Sequence, residues 1–298
     1  MKLKRSSRLV DMTEYLLRHP HQVISLSYFS ERYESAKSSI SEDLTIIKEN
    51  FESQEIGRLQ TQAGATGGVC YMPSMGCEEA EQLLERLQEQ MTRKERILPG
   101  GYLYMTDILG KPDYVNAIGR LIASVFINEK LDAIMTMETK GIPLAYAVAT
   151  QRSVPVVVVR RSSKVTEGST VSINYISGSS KRIQTMVLPR RSLKEHARVL
   201  IVDDFMKAGG TMKGMINLVE EFGARVAGMA VLVEKKEERP KLVDHYVSLL
   251  KLSILEQQDT LTIENGNVYE WLSESASLAV KEQPISTKTA AVKQYMSK

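Results

Sequence analysis

Apolar residues in the first 74 positions recur at helical spacing in three segments and then alternate as they do in strands. Helices are predicted over residues 8–18, 26–33 and 38–51, and strands over residues 57–61 and 69–72 on either side of a glycine-rich tip. His19-Pro20 closes the first helix, and Ser25 is a candidate cap for the second. This order is typical of a winged helix-turn-helix. A three-helix packing or dimerisation domain without nucleic acid would show the same pattern.

From residue 97 the pattern changes to apolar runs of strand length that alternate with helical segments. Strands are predicted over residues 133–137, 154–160, 199–202 and 226–233, and helices over residues 114–128, 142–152 and 212–222. This alternation predicts an α/β domain with a parallel sheet flanked by helices. Ligands of such sheets bind outside the C-terminal ends of the strands.

The two patterns divide the chain of 298 residues into two domains. We predict a winged-helix DNA-binding domain over residues 1–74, a linker or dimer helix over 75–96, an effector domain over 97–272 and a disordered tail over 273–298. The linking helix has Leu83, Leu84, Leu87 and Met91 on one side. A link or a dimer contact explains that stripe better than a ligand site does.

The distribution of charge bears on the first domain more than the net charge of +3 does. Residues 1–74 are neutral overall, but the first eight residues contain four basic side chains and no acidic one. Small polar groups beside a lysine at the start of the third helix suit contacts with DNA phosphates and base edges. With double-stranded operator DNA as the partner, contacts are predicted for Lys2, Lys4, Arg5, Arg8, Lys37, Ser38, Ser39 and Lys48, and on the wing for Arg58 and Thr66.

Nothing in the sequence predicts a membrane segment or a disulfide framework. The longest apolar runs, such as residues 154–159, fall far below the roughly 18 residues that span a bilayer. No apolar segment typical of a signal peptide follows the N-terminal residues. Cys70 and Cys77 are too few for a disulfide scaffold and lack partners for a zinc site. We therefore expect a cytoplasmic protein in a reducing compartment, with no membrane association.

The clearest chemical signal is the run of thirteen residues from Val199 to Thr211. Four apolar residues form a strand, and the acidic pair Asp203-Asp204 follows it. Adjacent carboxylates repel each other unless they meet a metal or hydroxyl donors. The run then passes through Gly209-Gly210 into a helix, whose first amides suit a phosphate. A ligand with vicinal hydroxyls for the acidic pair and a terminal phosphate for the helix amides would be a ribose 5-phosphate. An ordinary strand-turn-helix with a solvated or metal-binding acid pair is the alternative.

This run resembles the 5-phosphoribosyl 1-pyrophosphate (PRPP) motif of type I phosphoribosyltransferases. The resemblance implies that Asp203 and Asp204 bind the ribose hydroxyls and that the 5′-phosphate is held by Lys207, Ala208, Gly209, Gly210 and Thr211. It also implies a pyrophosphate loop at Thr139, Lys140 and Gly141, and a flexible closing loop over residues 160–180 from which Arg160 and Lys164 reach the pyrophosphate with magnesium as counterion. Phe205, Met206 and Tyr102 complete the expected contacts. Tyr102 and Phe205 would stack on a base or serve as core or lid residues.

Taken together, residues 1–272 resemble the purine operon repressors of Gram-positive bacteria. Residues 35–44 and 164–172 carry this likeness most clearly, and residues 97–272 are closer to adenine and xanthine transferases than to orotate enzymes. The resemblance implies a homodimer, repression of purine synthesis genes, and PRPP as the signal that releases DNA. It implies no covalent cofactor, and no metal held by the protein alone.

Three functions are compatible with these motifs. The effector domain would be a PRPP sensor without catalytic residues, an active purine phosphoribosyltransferase with an accessory N-terminal module, or a pocket in which a purine nucleotide or guanine alarmone competes with PRPP. An enzyme needs groups that grip the base, and residues 98–102 offer an aromatic ring but no base-reading carboxylate or amide. Fusion to a DNA-binding module also favours the sensor.

Overall fold

The computed structural model describes residues 3–62, 64, 67–176, 182–255 and 260–273. The helices are α1 (Arg5–Arg18), α2 (Leu26–Arg32), α3 (Lys37–Ser53), α4 (Cys77–Met91), α5 (Thr106–Leu109), α6 (Pro112–Val125), α7 (Gly141–Arg152) and α8 (Gly210–Glu221). The strands are β1 (Val23–Ser25), β2 (Gly57–Gln62), β3 (Gly68–Pro73), β4 (Ile97–Leu98), β5 (Tyr102–Leu103), β6 (Ala133–Met137), β7 (Val156–Val159), β8 (Thr170–Ile176), β9 (Ile183–Pro189), β10 (Arg198–Met206), β11 (Arg225–Lys235), β12 (Val247–Leu255) and β13 (Thr260–Asn265). The tail expected from residue 273 lies, from residue 274 on, outside the described residues.

The N-terminal elements form a winged helix around a core of their own. Helices α1, α2 and α3 pack with a small sheet of order β1-β3-β2, whose hairpin β2–β3 is the wing. Phe29, Tyr33 and Phe51 are almost fully buried in this core. The Ser25 hydroxyl accepts a hydrogen bond of 3.1 Å from the Tyr28 amide, so the predicted cap of α2 is confirmed. Strand β1 was missed because three residues carry too little periodicity to be recognised.

The larger domain is built on a sheet of order β13-β12-β11-β10-β6-β7 in the described part of the chain. All neighbouring pairs are parallel except β12–β13, so the predicted parallel sheet is confirmed and carries one antiparallel strand at this edge. On β10, Leu200 and Val202 enter the core on one face, and Val199 and Ile201 enter the core on the other. This explains the unbroken apolar run, because a central parallel strand is buried on both sides.

The two faces of the sheet are covered differently. Helices α4 to α7 contribute to the core on one face, whereas α8 and the antiparallel hairpin β8–β9 cover the other. Tyr175 and Met186 of this hairpin are buried against α8 at Gly214. The prediction of one flexible loop over residues 160–180 is therefore wrong for residues 170–176. Residues 177–181 lie outside the described part.

Helix α4 joins the two domains and packs within this chain. Leu83, Leu84, Leu87 and Met91 are buried against the sheet edge at β12 and β13 and against α6. The apolar stripe, for which a link or a dimer contact is predicted, is therefore used for packing within the chain. Among the described residues, no helix is both long enough and apolar enough to cross a membrane.

Candidate functional site

The acidic pair lies near the C-terminal end of β10, where one side of the strand loses its neighbour. Pairing with β6 reaches Ile201, whereas pairing with β11 continues to Met206. Asp203 and Asp204 thus lie within the strand rather than after it, which corrects the expected strand end. The long β11 holds one edge of the acidic segment while the other edge opens toward the loop after β6.

The two carboxyl groups are in an unfavourable electrostatic environment in the absence of a ligand. Asp203 is buried, and its Oδ1 accepts a hydrogen bond of 3.0 Å from the Asp204 amide. Burial, and then the neighbouring charge of Asp204, raise the pKa of Asp203 well above its usual range. Burial also raises the pKa of Asp204, against the lowering effects of its hydrogen bond with Asp203 and of the positive charge of Lys140. Hydroxyl donors from a ligand would relieve this strain.

A loop between β10 and α8 forms a cradle at the helix start. Gly209 has φ +83°, and a Cβ there would lie 3.2 Å from Val243 Cγ2, so glycine is favoured at this position. Helix α8 has no acidic residue in its first turn and no side chain that caps its amides. These amides are available to an anion. A cavity at this point is lined by Tyr102, Asp203, Phe205, Met206, Lys207, Ala208, Gly209, Gly210, Thr211 and Met212.

The loop between β6 and α7 comes close to the acidic pair. A Cβ on Gly141 would overlap Thr136 Oγ1 and lie 2.9 Å from Asp203 Oδ1, so this contact requires glycine. Thr139 and Lys140 precede the helix and are exposed. The structure therefore brings the two predicted loops together at the C-terminal edge of the sheet, although Thr139, Lys140 and Gly141 lie outside the cavity lining.

Arg160 and Lys164 do not line the cavity either. Arg160 Nε lies 2.6 Å from Glu167 Oε1, and its Nη1 lies 3.3 Å from Glu138 Oε2, at the edge of the β6 loop. Lys164 is exposed in the segment between these partners. The sequence reasoning missed both carboxylates as partners of Arg160, because nothing in their spacing shows which basic residue they face.

The segment 98–102 contacts the loop Lys207–Gly209 between β10 and α8, the phosphate-type loop. Lys207 Nζ donates a hydrogen bond of 3.0 Å to the Gly100 carbonyl and lies 5.7 Å from the centre of the Tyr102 ring. The Tyr102 and Phe205 rings are 5.7 Å apart. Both aromatic residues line the cavity, and their contact with a ligand stays a prediction. In the described part of the chain, no three His, Cys, Asp or Glu residues cluster in a way that would hold a metal.

The start of α3 is the best-formed candidate for a nucleic-acid contact. Ala36 occupies the cap position and supplies no side-chain hydrogen bond, so the first amides of α3 are uncapped. Lys37 and Ser38 are exposed and Ser39 is half-buried. Lys4 is exposed before α1, and Lys48 lies 3.8 Å from Glu52 on the same helix. Of the remaining predicted contacts, Arg58 is half-buried on the wing, and Lys2 and Thr66 lie outside the described residues.

The two arginines of α1 that are predicted to contact DNA, Arg5 and Arg8, are both paired with α3. Arg8 is only 8% exposed, and its Nε donates to Asp43 Oδ2 at 2.5 Å, while its Nη1 donates to Ser35 Oγ at 3.1 Å. Arg5 Nε donates to the other Asp43 oxygen at 3.0 Å. The prediction for Arg8 is corrected, because this side chain joins α1 to α3 instead of facing outward. Arg5 keeps about half of its side chain exposed, at 55%.

Comparisons with known protein families divide the chain into the same two domains. Residues 4–73 match the family described as "Bacterial purine repressor, N-terminal". Residues 105–270 match the family described as "Phosphoribosyl transferase domain".

Individual relatives cover almost the whole chain. The purine biosynthesis transcriptional repressor PurR of Bacillus subtilis is 59% identical over 276 residues, which are 92% of this chain and 97% of the relative. The purine biosynthesis transcriptional activator PurR of Lactococcus lactis is 45% identical over 268 residues, covering 90% and 99% of the two chains. Among solved structures, adenine phosphoribosyltransferase from Thermoanaerobacter pseudethanolicus aligns with a TM-score of 0.50 and 26% identity over 56% of this chain and 99% of that one.

Proposed function

Because the chain belongs to the family of bacterial purine repressors, we propose that it is a DNA-binding repressor of purine biosynthesis genes whose larger domain senses PRPP. The observation that carries the proposal is the joining, in one chain, of a winged helix with an open α3 start and a cavity in which Asp203 lies beside an uncapped helix start. Asp204, the second acid of the pair, is next to Asp203 on β10 but does not line the cavity. Repression, rather than activation, follows from the higher identity to the Bacillus repressor than to the Lactococcus activator.

In the proposed complex, the ligand would occupy the space between the two loops at the end of the sheet. The ribose hydroxyls would donate to Asp203 and Asp204, and the 5′-phosphate would accept from the amides between Lys207 and Thr211. The pyrophosphate would lie toward Lys140, in the loop between β6 and α7, and toward Arg160, which follows β7. Magnesium would enter with the pyrophosphate as its counterion and would offset the negative charge of the ligand beside the acidic pair.

We favour a sensor over an enzyme because of what lines the cavity. Among the described lining residues, Tyr102 and Phe205 offer aromatic surface, but no Asn, Gln or Glu is present to read the edge of a purine. A transferase must also stabilise the base as the bond to ribose is formed or broken. A pocket that supplies only phosphate, hydroxyl and aromatic contacts is suited to binding without transfer.

Helix α7 gives this sensor a physical connection to the DNA-binding domain. It begins at Gly141 beside the acidic pair, and its twelve residues extend about 18 Å to Arg152. There, the Ser153 hydroxyl accepts a hydrogen bond of 3.0 Å from Gln22 Nε2 of the winged helix.

The junction at the far end of α7 is buried and charged. Arg152 donates to the carbonyls of Ile127, at 3.2 Å, and of Glu129. Burial, together with the positive charge of Arg152, lowers the pKa of His21 to about 4, so His21 is neutral at physiological pH. A shift of α7 on ligand binding would therefore change the hydrogen bond of Gln22 to Ser153 and the position of the Arg152 charge near His21, and thereby the orientation of the winged helix.

The test is calorimetric titration of the purified protein with PRPP and magnesium, followed by addition of adenine, guanine, hypoxanthine or xanthine with detection of nucleotide. The proposal predicts saturable PRPP binding and no nucleotide from any base. Turnover of any of these bases would make the chain an enzyme. Absence of PRPP binding would remove the sensor.

A further inference from the structure

A segment that follows β11 lies directly behind the phosphate-type loop and is tied to it at two consecutive peptide groups. Lys241 Nζ donates a hydrogen bond of 3.0 Å to the Lys207 carbonyl, and the Leu242 amide donates one of 3.0 Å to the Ala208 carbonyl. Lys241 Nζ also donates to the Lys235 carbonyl at 2.5 Å, which ties the segment to the end of β11. The loop is therefore held from the side opposite the cavity.

Lys241 is an unusual residue for this position because its side chain is only 12% exposed. Its Nζ lies 3.6 Å from Glu234 Oε2, and that carboxylate accepts hydrogen bonds from the Tyr246 hydroxyl at 2.7 Å and the Ser248 hydroxyl at 3.0 Å. Burial lowers the pKa of Lys241, and the charge of Glu234 acts in the opposite direction. A buried ammonium is costly unless it is paired and hydrogen-bonded, and both conditions are met here.

Fixing these two carbonyls also fixes the direction of two amides. In a planar trans peptide the C=O and N–H groups point in opposite directions. With the Lys207 carbonyl turned toward Lys241, the Ala208 N–H points away from it, and with the Ala208 carbonyl turned toward Leu242, the Gly209 N–H does the same. Residues 207, 208 and 209 all line the cavity. Lys241 thus orients the Ala208 amide toward the space where an anion would lie and places a positive charge next to the loop, while the neighbouring Leu242 amide orients the Gly209 amide.

From this geometry we propose that Lys241 is a positioning residue for the 5′-phosphate of the bound ligand. It does not touch the phosphate but holds the loop whose amides do. This inference rests on the proposed PRPP site and adds to it a residue outside the motif of Val199–Thr211. Loss of Lys241 should weaken binding of the 5′-phosphate but not of the pyrophosphate, because Lys241 contacts the loop at Lys207 and not the loop at Lys140.

The test compares Lys241→Met, which keeps the chain length but removes the donors and the charge, with the matched control Lys236→Met on the exposed side of the same segment. The affinities of PRPP with magnesium, ribose 5-phosphate and pyrophosphate are measured for each variant and for the wild type. We expect Lys241→Met to weaken PRPP and ribose 5-phosphate by a similar factor of about ten, the effect of losing one or two hydrogen bonds of a charged donor. Pyrophosphate affinity should stay within about twofold, and Lys236→Met should match the wild type.

The outcomes separate this inference from the proposed function. Unchanged PRPP and ribose 5-phosphate affinity in Lys241→Met overturns the role of Lys241 alone, and so does an equal loss for pyrophosphate. A wild-type protein that binds neither PRPP nor ribose 5-phosphate overturns the site and the inference together. If thermal melting shows that Lys241→Met is unfolded, Lys241→Arg and Lys241→Gln replace it. Arginine should then retain more ribose 5-phosphate affinity than glutamine, and the reverse order contradicts the proposal.

Discussion

At the residue scale, the acidic pair is the clearest compromise between folding and binding in this chain. Asp203 is buried beside another carboxylate, and Gly141 packs against it so closely that no side chain fits between them. A buried charge without a cation or sufficient donors destabilises the folded state. The proposed ribose contact would explain why the pair is present despite this cost to stability.

We predict that Asp203→Asn stabilises the ligand-free protein and weakens PRPP binding by at least about tenfold, because the buried charge disappears and one of the two acceptor oxygens for the ribose hydroxyls becomes an amide donor. Since the pKa of Asp203 is raised in the folded state, the wild type binds more protons folded than unfolded. Its relative stability is therefore full below the ordinary Asp range and falls as the pH rises through the raised pKa.

Thermal melting of the wild type and Asp203→Asn from pH 4 to pH 8 checks this. The difference in Tm should grow with pH, with roughly 2–4 °C for each kcal/mol gained. Asp244→Asn is the control, since Asp244 is exposed. A variant that melts below the wild type at pH 8 would contradict the strain assigned to Asp203.

The buried charge of Asp43 differs from that of Asp203, because it is paired with Arg8 and stabilises the contact between α1 and α3. Asp43 is fully buried and accepts from both Arg8 and Arg5 across the α1–α3 contact. We predict that Arg8→Met lowers the free energy of unfolding by about 3 kcal/mol, because Asp43 keeps only the partly exposed Arg5 as its partner.

Urea denaturation measures that change, and Arg18→Met on the exposed side of α1 is its control. Combining Arg8→Met with Asp43→Leu should recover most of the loss. If Arg8→Met kept full stability and lost only DNA affinity, Arg8 would act as a DNA contact and not as the link between α1 and α3.

At the scale of elements, the start of α3 decides how the winged helix would meet DNA. Its first turn combines exposed Lys37 and Ser38 with uncapped amides, whereas acidic residues follow farther along the helix. Among the positions of α3, its N-terminal end is therefore the one best suited to a phosphate contact.

We predict that Lys37→Ala weakens binding to promoter DNA of purine biosynthesis genes and reduces the slope of log affinity against log salt by about 0.9, the value for one lost phosphate contact. Fluorescence anisotropy at several salt concentrations provides both numbers. Arg18→Ala, which is ion-paired with Glu14 on the same domain, should change neither. An unchanged affinity and slope for Lys37→Ala would remove α3 from the interface.

The elements that the sequence predicted well are those with a strong local signal. The run of Val199–Thr211 predicted both a central strand and the loop after it, and the cap residue Ser25 predicted where α2 begins. Strands β8, β12 and β13 were not predicted as strands. In β8 only one residue is buried, and its polar positions suggested a loop. Local spacing likewise gave the acidic pair and the loop glycines. It gave neither Lys241 nor Glu167, because residue spacing does not show that Lys241 reaches the Lys207 carbonyl or that Glu167 pairs with Arg160.

At the scale of the whole molecule, two separate cores are joined by α4 and by the contact at the end of α7. The Met75 amide donates a hydrogen bond of 2.8 Å to the Ser124 hydroxyl beside this junction, so the linker is fixed on the larger domain. A ligand at the start of α7 and DNA at α3 would therefore act on one connected unit. Coupling of this kind must be reciprocal, because each ligand changes the affinity of the other by the same factor.

The most direct test of the account is to measure the affinity of the protein for purine promoter DNA with and without saturating PRPP and magnesium. A second titration measures PRPP affinity with and without saturating DNA. The account predicts that PRPP weakens DNA binding by a factor of about 5 to 150, the usual range for coupled sites, and that DNA weakens PRPP binding by the same factor. DNA affinity that stays the same in saturating PRPP would contradict the assignment of the larger domain as the sensor for the winged helix.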